Sequence, residues 1–245
     1  MKRAALSLLV LSLLLPQASS AQDVLDQVFL FRNFNQDARV ASRAYLEPYA
    51  QHNTYESVTH TSVGLQGGIP FSPRFEAAFG VSYFRDDSDF FESSSGLADI
   101  FLHGKYNFSL NATRLSTGAF VTLPIGSEDI GEGDLDAGIF ISARHPLSER
   151  TVLAGKVSGD YFEFTKDDRD PSLRFHGGVI QMVSDRAAIV GELLVTTSVD
   201  VTQLSGGVDY ALGPAGRLRG SIAAGLTDNA PDFSFLVGYL IAFGN

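Results

Sequence analysis

Residues 97–108 read LADIFLHGKYNF. Ala98, Ile100, Leu102, Gly104, Tyr106 and Phe108 fall on one parity, and Asp99, His103, Lys105 and Asn107 on the other. Successive side chains of a β-strand point to opposite faces. The stretch therefore predicts a strand that separates an apolar medium from a polar one. Phe233, Phe235, Val237, Tyr239, Ile241 and Phe243 repeat the pattern opposite Asp232, Ser234 and Gly238. Leu135, Ala137, Ile139 and Ile141 repeat it opposite Asp134, Asp136, Ser142 and Arg144.

Twelve such segments follow one another between residues 43 and 243, the fourth read as 96–108. Most exceed the ~5–6 residues usual for strands of soluble proteins and match the ~9–11 residues of a tilted bilayer-crossing strand. A soluble β-sandwich does not repeat strands this long. The expected fold class is all-β: an up-and-down antiparallel transmembrane β-barrel of about 12 strands.

The connections alternate as well. Tight turns close on Arg74, Arg114, Arg150, Arg186 and Arg217. Longer loops carry Asp86, Asp87, Asp89 and Glu92, then Glu128, Asp129 and Glu132, then Glu163, Asp167, Asp168 and Asp170. Short turns on one rim and longer loops on the other match the periplasmic and extracellular sides of an outer-membrane barrel. Tyr83, Tyr106, Tyr161, Tyr210 and Tyr239 lie on the apolar parity toward strand ends, as a lipid-interface girdle requires.

Ahead of the barrel, Lys2 and Arg3 precede an apolar run, Ala4–Leu15, that Pro16 ends; Ser19 and Ala21 are small. This reads as a secretory signal peptide spanning 1–21, too short in its apolar part for a spanning helix. Residues 22–42 form an N-terminal extension, a tail or a lumen plug, and 43–245 the outer-membrane barrel of a Gram-negative-type envelope. Partners implied are outer-membrane lipid and lipopolysaccharide, the barrel-assembly machinery and a small-molecule solute. With 18 basic against 28 acidic residues the chain lacks the basic footprint of a nucleic-acid binder. It has no Cys, which excludes disulfides and thiolate metal sites. The five His are scattered, so no metal site and no cofactor are expected.

If the apolar parity meets lipid, the other lines the lumen. The candidate lining comprises Glu47, Glu76, Asp99, His103, Lys105, Phe120, Asp136, Phe140, Arg144, Lys156, Asp160, Arg174, His176, Glu192, Asp209 and Arg219. Both signs are present, so these groups either pair across a narrow interior or line a wet channel. Phe120 and Phe140, on neighbouring strands, could add an apolar patch. A mixed lumen of this kind suits a small, partly hydrophobic solute.

His60-Thr61-Ser62-Val63-Gly64 is similar to the His-x-Ser-Asn-Gly pattern of outer-membrane phospholipase A, with Val63 in place of Asn. Here His60 and Ser62 share the inward parity, whereas attack on bilayer lipid needs an outward nucleophile. No enzyme activity is expected, and no catalytic residue is assigned.

Several short motifs resemble, in order, those of a barrel family named after the meta-pathway of phenol degradation. They are Gly96-Leu97-Ala98-Asp99-Ile100 with Lys105-Tyr106, Leu123-Pro124-Ile125-Gly126, Glu192 in Gly191-Glu192-Leu193, Gly206-Gly207-Val208-Asp209-Tyr210, and Ala230-Pro231-Asp232. The resemblance covers about 96–243 and departs at the end, where Gly244 and Asn245 follow Phe243. It implies an outer-membrane channel for passive passage of small hydrophobic or aromatic solutes. The other reading is a non-transporting structural or surface-interaction barrel.

Overall fold

The computed structural model describes residues 25, 27–33, 35–39, 41–90, 92–127, 130, 135–165 and 168–244; the side chains of 161–170 lie outside this description. So does the 1–21 leader.

The chain runs as β1 (Ala44–Thr54), β2 (Val58–Ser72), β3 (Phe75–Ser88), β4 (Ser94–Leu97), β5 (Ile100–Leu110), β6 (Thr113–Leu123), β7 (Asp136–Ser148), β8 (Thr151–Thr165), β9 (Asp168–Met182), β10 (Ala187–Thr196), β11 (Val201–Ala211), β12 (Gly216–Gly225) and β13 (Phe233–Phe243). The short β4 and β5 together form one wall strand, so the wall is an up-and-down barrel of twelve antiparallel strands. It closes because β1 pairs with both β2 and β13. Closure pairs every wall strand on both sides, which an exposed sheet edge would not allow.

The alternation decides the faces. Along β13, Ser234, Leu236, Gly238 and Leu240 are buried while Phe233, Phe235, Val237 and Tyr239 are exposed. Large apolar side chains such as Ile139, at 69% exposure, stand on the outside. The inside holds the buried ions: Glu47, Glu76, Asp209 and Arg219 are all within 1% of complete burial. This inverts the soluble arrangement and is the pattern of a membrane barrel.

One wall strand departs from its sequence reading. The continuous strand over 96–108 is broken at Ala98 and Asp99. The loop after β6 folds onto the break and takes over its hydrogen bonds. Ser127 N donates to Leu97 O at 2.8 Å, Leu97 N to Ser127 Oγ at 2.9 Å, and Gly126 N to Asp99 Oδ1 at 2.7 Å. A Cβ at Gly126 would lie 2.7 Å from both Asp99 Oδ1 and Leu97 O, so only glycine brings the loop this close.

Three tight turns share a device. Ser72, Ser148 and Ser184 each stand two residues before the turn arginine. Each hydroxyl accepts the arginine backbone N–H, at 3.2, 3.2 and 3.3 Å for Arg74, Arg150 and Arg186. The serine supplies a local acceptor that fixes the reversal without a ladder bond.

Inside the wall, Phe120 stands opposite Gly138, and Phe140 opposite Gly118, on the paired strands β6 and β7. Each ring lies over its glycine, since a Cβ at Gly138 would meet Phe120 Cε1 at 2.6 Å. The described ring contacts place Phe120 against Phe101 at 5.4 Å and Phe140 against His103 at 6.1 Å. The two rings suggested as an apolar patch thus each cover a glycine of the neighbouring strand. A Cβ at Gly191 meets nothing within 4 Å. Gly138→Ala is therefore expected to cost about 1–3 kcal/mol through overpacking, while Gly191→Ala stays within about 0.5 kcal/mol. Urea titration of barrel unfolding in lipid checks both.

Candidate functional site in the barrel interior

The described N-terminal residues between Leu25 and Ala41 lie against the inner wall. Leu25, Val28, Leu30 and Phe31 pack with Val152, Ala154, Ile180, Met182, Ala188, Val190 and Leu236. Phe29 and Ala41 pack with Tyr45 and Leu240. Most of these wall residues lie toward the tight-turn end. The run Val28-Phe29-Leu30-Phe31 is thereby buried without being a strand, and its backbone polar groups need partners.

Inward-facing ions supply them. Arg219, on β12, donates through Nη2 to Phe29 O at 2.8 Å and Leu30 O at 3.4 Å, and its guanidinium stacks 4.7 Å from the Phe31 ring centroid. The same side chain bridges Glu47 of β1, at 2.9 and 2.8 Å, and Asp209 of β11, at 3.2 Å. Arg217 Nε reaches the other Asp209 oxygen at 2.5 Å, and Gln66 completes Glu47 at 2.9 Å. On β10, Glu192 accepts Phe31 N at 2.5 Å and Arg32 N at 2.9 Å, with His176 3.7 Å away.

A second set holds residues 35–41. Glu76 accepts Ala41 N at 3.0 Å, the Tyr45 hydroxyl bonds Glu76, and Lys105 lies 3.7 Å from Glu76. Lys105 Nζ donates to Asp37 O at 2.9 Å. Arg144 donates to Val28 O at 2.9 Å and lies 3.5 Å from the Asp37 carboxylate. Lys156 donates to Gln36 Oε1 at 2.5 Å, and Ser142 to Gln36 O at 2.6 Å. Leu30 and Phe31 sit this close only because Gly178 and Gly207 lack side chains: a Cβ at Gly178 would meet Leu30 Cδ2 at 2.8 Å, and one at Gly207 the Phe31 ring.

Above this segment, on the loop side, a cavity of about 470 Å³ remains. Candidates Asp99, Phe120, Asp136, Asp160 and Arg174 line it, together with His60, Phe84, Ala98, Phe101 and Ile130. Asp86 is part of it as well, in β3 rather than in the following loop, with its Oδ1 2.5 Å from His60 Nδ1. Asp160 lies 3.3 Å from Arg174.

Four lining residues escaped the sequence reading: Ala98, Phe101, Thr122 and Ile130. Phe101 shares the parity of His103 and Lys105, yet its apolar side chain hides it among outward-type residues; parity alone would have found it. Ala98 was expected on the outer face, and its placement at the cavity is a correction. The break at Ala98 and Asp99 interrupts the alternation there. Ser62 is buried and inward, and His60 engages Asp86. On the outside, Tyr83, Tyr106, Tyr210 and Tyr239 are exposed, at 38–46%. The Tyr161 side chain lies outside the described residues.

Compared with solved structures, the chain superposes on an outer-membrane channel from Pseudomonas putida F1 with a TM-score of 0.75. The two are 16% identical over 86% of this chain and 98% of the other. The fold is that of an outer-membrane β-barrel. The KdgM porin shares this barrel fold with a TM-score of 0.60 at 10% identity, over 81% of this chain and 99% of its own. The CymD monoaromatic hydrocarbon channel gives 0.51 at 10% identity, over 85% and 90%. No family model matches the chain, and no curated protein matches it.

Proposed function

We propose that this barrel resides in the outer membrane as a passive channel for small hydrophobic or aromatic solutes, with residues 22–42 as its lumen plug. The observation that carries the reading is the loop-side cavity, where phenyl rings and carboxylates converge directly above the N-terminal segment. Concave sites for small organic molecules combine an apolar lining with a few placed polar groups in this way. The exposed apolar belt and its tyrosines suit contact with outer-membrane lipid and lipopolysaccharide. Export by a signal peptide and insertion by the barrel-assembly machinery belong to the same proposal. The motifs resembling the phenol meta-pathway barrels favour an aromatic solute.

A second reading, a non-transporting structural barrel, is favoured by how firmly the wall ions bind the segment's backbone. Liposome swelling separates the two. Full-length protein is expected to admit phenyl glucoside, an uncharged aromatic that bilayers exclude, faster than a sugar of equal size. Swelling no faster than in protein-free liposomes supports the structural reading. Free passage of inorganic ions without any gain for the aromatic solute overturns solute selectivity.

A further inference from the structure

The described lining of the loop-side cavity carries an unbalanced charge, and one of its carboxylates lacks hydrogen-bond donors. Among the described lining residues, Asp86, Asp99, Asp136 and Asp160 stand against one arginine, Arg174. Asp160 is only 2% exposed, yet neither carboxylate oxygen accepts a hydrogen bond. Its sole ion pair among the described residues is the 3.3 Å approach to Arg174. Directly across the β8–β9 ladder stands Ser172, and Ser158 is two residues along on the same face. Both hydroxyls are buried and likewise lack hydrogen-bond partners.

Buried polar atoms of native proteins are mostly paired; of the unpartnered ones described here, this trio clusters around a carboxylate of the cavity lining and points to a group that arrives from outside the chain. A carboxylate and two hydroxyl oxygens match a primary ammonium, which has three donors and no acceptor. Phe101 and Phe120, with ring centroids 5.4 Å apart, supply an apolar wall beside it. A ring face also attracts a cation. An anion of the same size would meet the surplus carboxylates.

We infer that the loop-side cavity is a binding site for small organic cations, primary ammonium ions with an aromatic or apolar body. The inference rests on the channel reading and narrows its solute class from aromatic in general to cationic aromatic. The Asp160 carboxylate and the Ser158 and Ser172 hydroxyls receive the ammonium, and the phenyl pair receives the body.

The test is calorimetric titration of the full-length protein in uncharged detergent at neutral pH and low salt. The probes are benzylammonium, benzoate and methylammonium. Benzylammonium is expected to bind at least about tenfold more tightly than either of the others, the first margin from charge and the second from the ring. Asp160→Asn is expected to weaken benzylammonium by about tenfold. Asp86→Asn, at the half-exposed lip, gives a smaller loss in the same direction and decides the matter should Asp160→Asn fail to fold. Benzoate binding as tightly as benzylammonium overturns the inference. So does methylammonium binding as tightly as benzylammonium, or affinity indifferent to both substitutions. Uptake of phenyl glucoside by liposomes with no preference for benzylammonium sinks this charge assignment alone. Benzylammonium binding with no uptake of any solute sinks the channel reading alone.

Discussion

Arg219→Ala is expected to loosen the barrel interior at once in two places. The guanidinium is 1% exposed and bridges Glu47, Asp209 and the carbonyls of Phe29 and Leu30. Its loss leaves Glu47 with only the Gln66 amide as a described side-chain donor. Asp209 keeps Arg217. Removing one partner of a buried ion pair costs about 3–5 kcal/mol, because the remaining charge stays buried without compensation. Denaturant midpoints of the protein in lipid should fall accordingly at unchanged slope. Glu47→Gln in the same background should recover part of the loss, since it removes the stranded charge. A midpoint equal to that of the unsubstituted protein would show that water reaches Glu47 and that the cluster is not dry.

The second large effect concerns the N-terminal segment. Deleting residues 22–42 removes the contacts to Glu192, Glu76, Lys105, Arg144 and Lys156 together. The wall's own ladders do not involve the segment, so the barrel should still close. The vacated interior would then be lined by ions of both signs, which hydrate readily. Single-channel conductance in planar bilayers is expected to rise several-fold over the full chain. Conductance that stays the same, from a barrel shown to be folded by its heat-dependent gel mobility, would mean that wall side chains alone fill the lumen. Gly178→Val probes the same contact in the full chain, because its new methyls meet Leu30. It should raise conductance in the same direction by a smaller step.

The wall was legible in the sequence because each strand separates two media. Lipid outside and polar interior inside impose the period of two on almost every residue. It failed where that condition lapses. At Ala98 and Asp99 the incoming Gly126 and Ser127 replace ladder bonds, and nothing in a hydropathy pattern records a competing loop. The partners inside the wall were hidden for a different reason. Glu47 and Arg219 are 172 residues apart in the chain, and only the closure of the ring brings their strands near. The hydrogen bonds of residues 28–31 to the wall run through backbone groups. Backbone atoms are the same in every residue, so they leave no mark in the sequence beyond an apolar run of ambiguous use. The turn serines were only partly readable, for Ser-x-Arg occurs five times and two of those, at 142–144 and 172–174, lie inside strands.

That backbone tethering has a consequence for how the molecule is made. The segment precedes every wall strand in the chain, yet the groups that grip it sit on β3, β5, β7, β8, β10 and β12. Its berth does not exist until those later strands have come together. What is synthesised first is therefore seated last, and an inserting intermediate must carry its leading end unhoused until the cylinder is nearly whole.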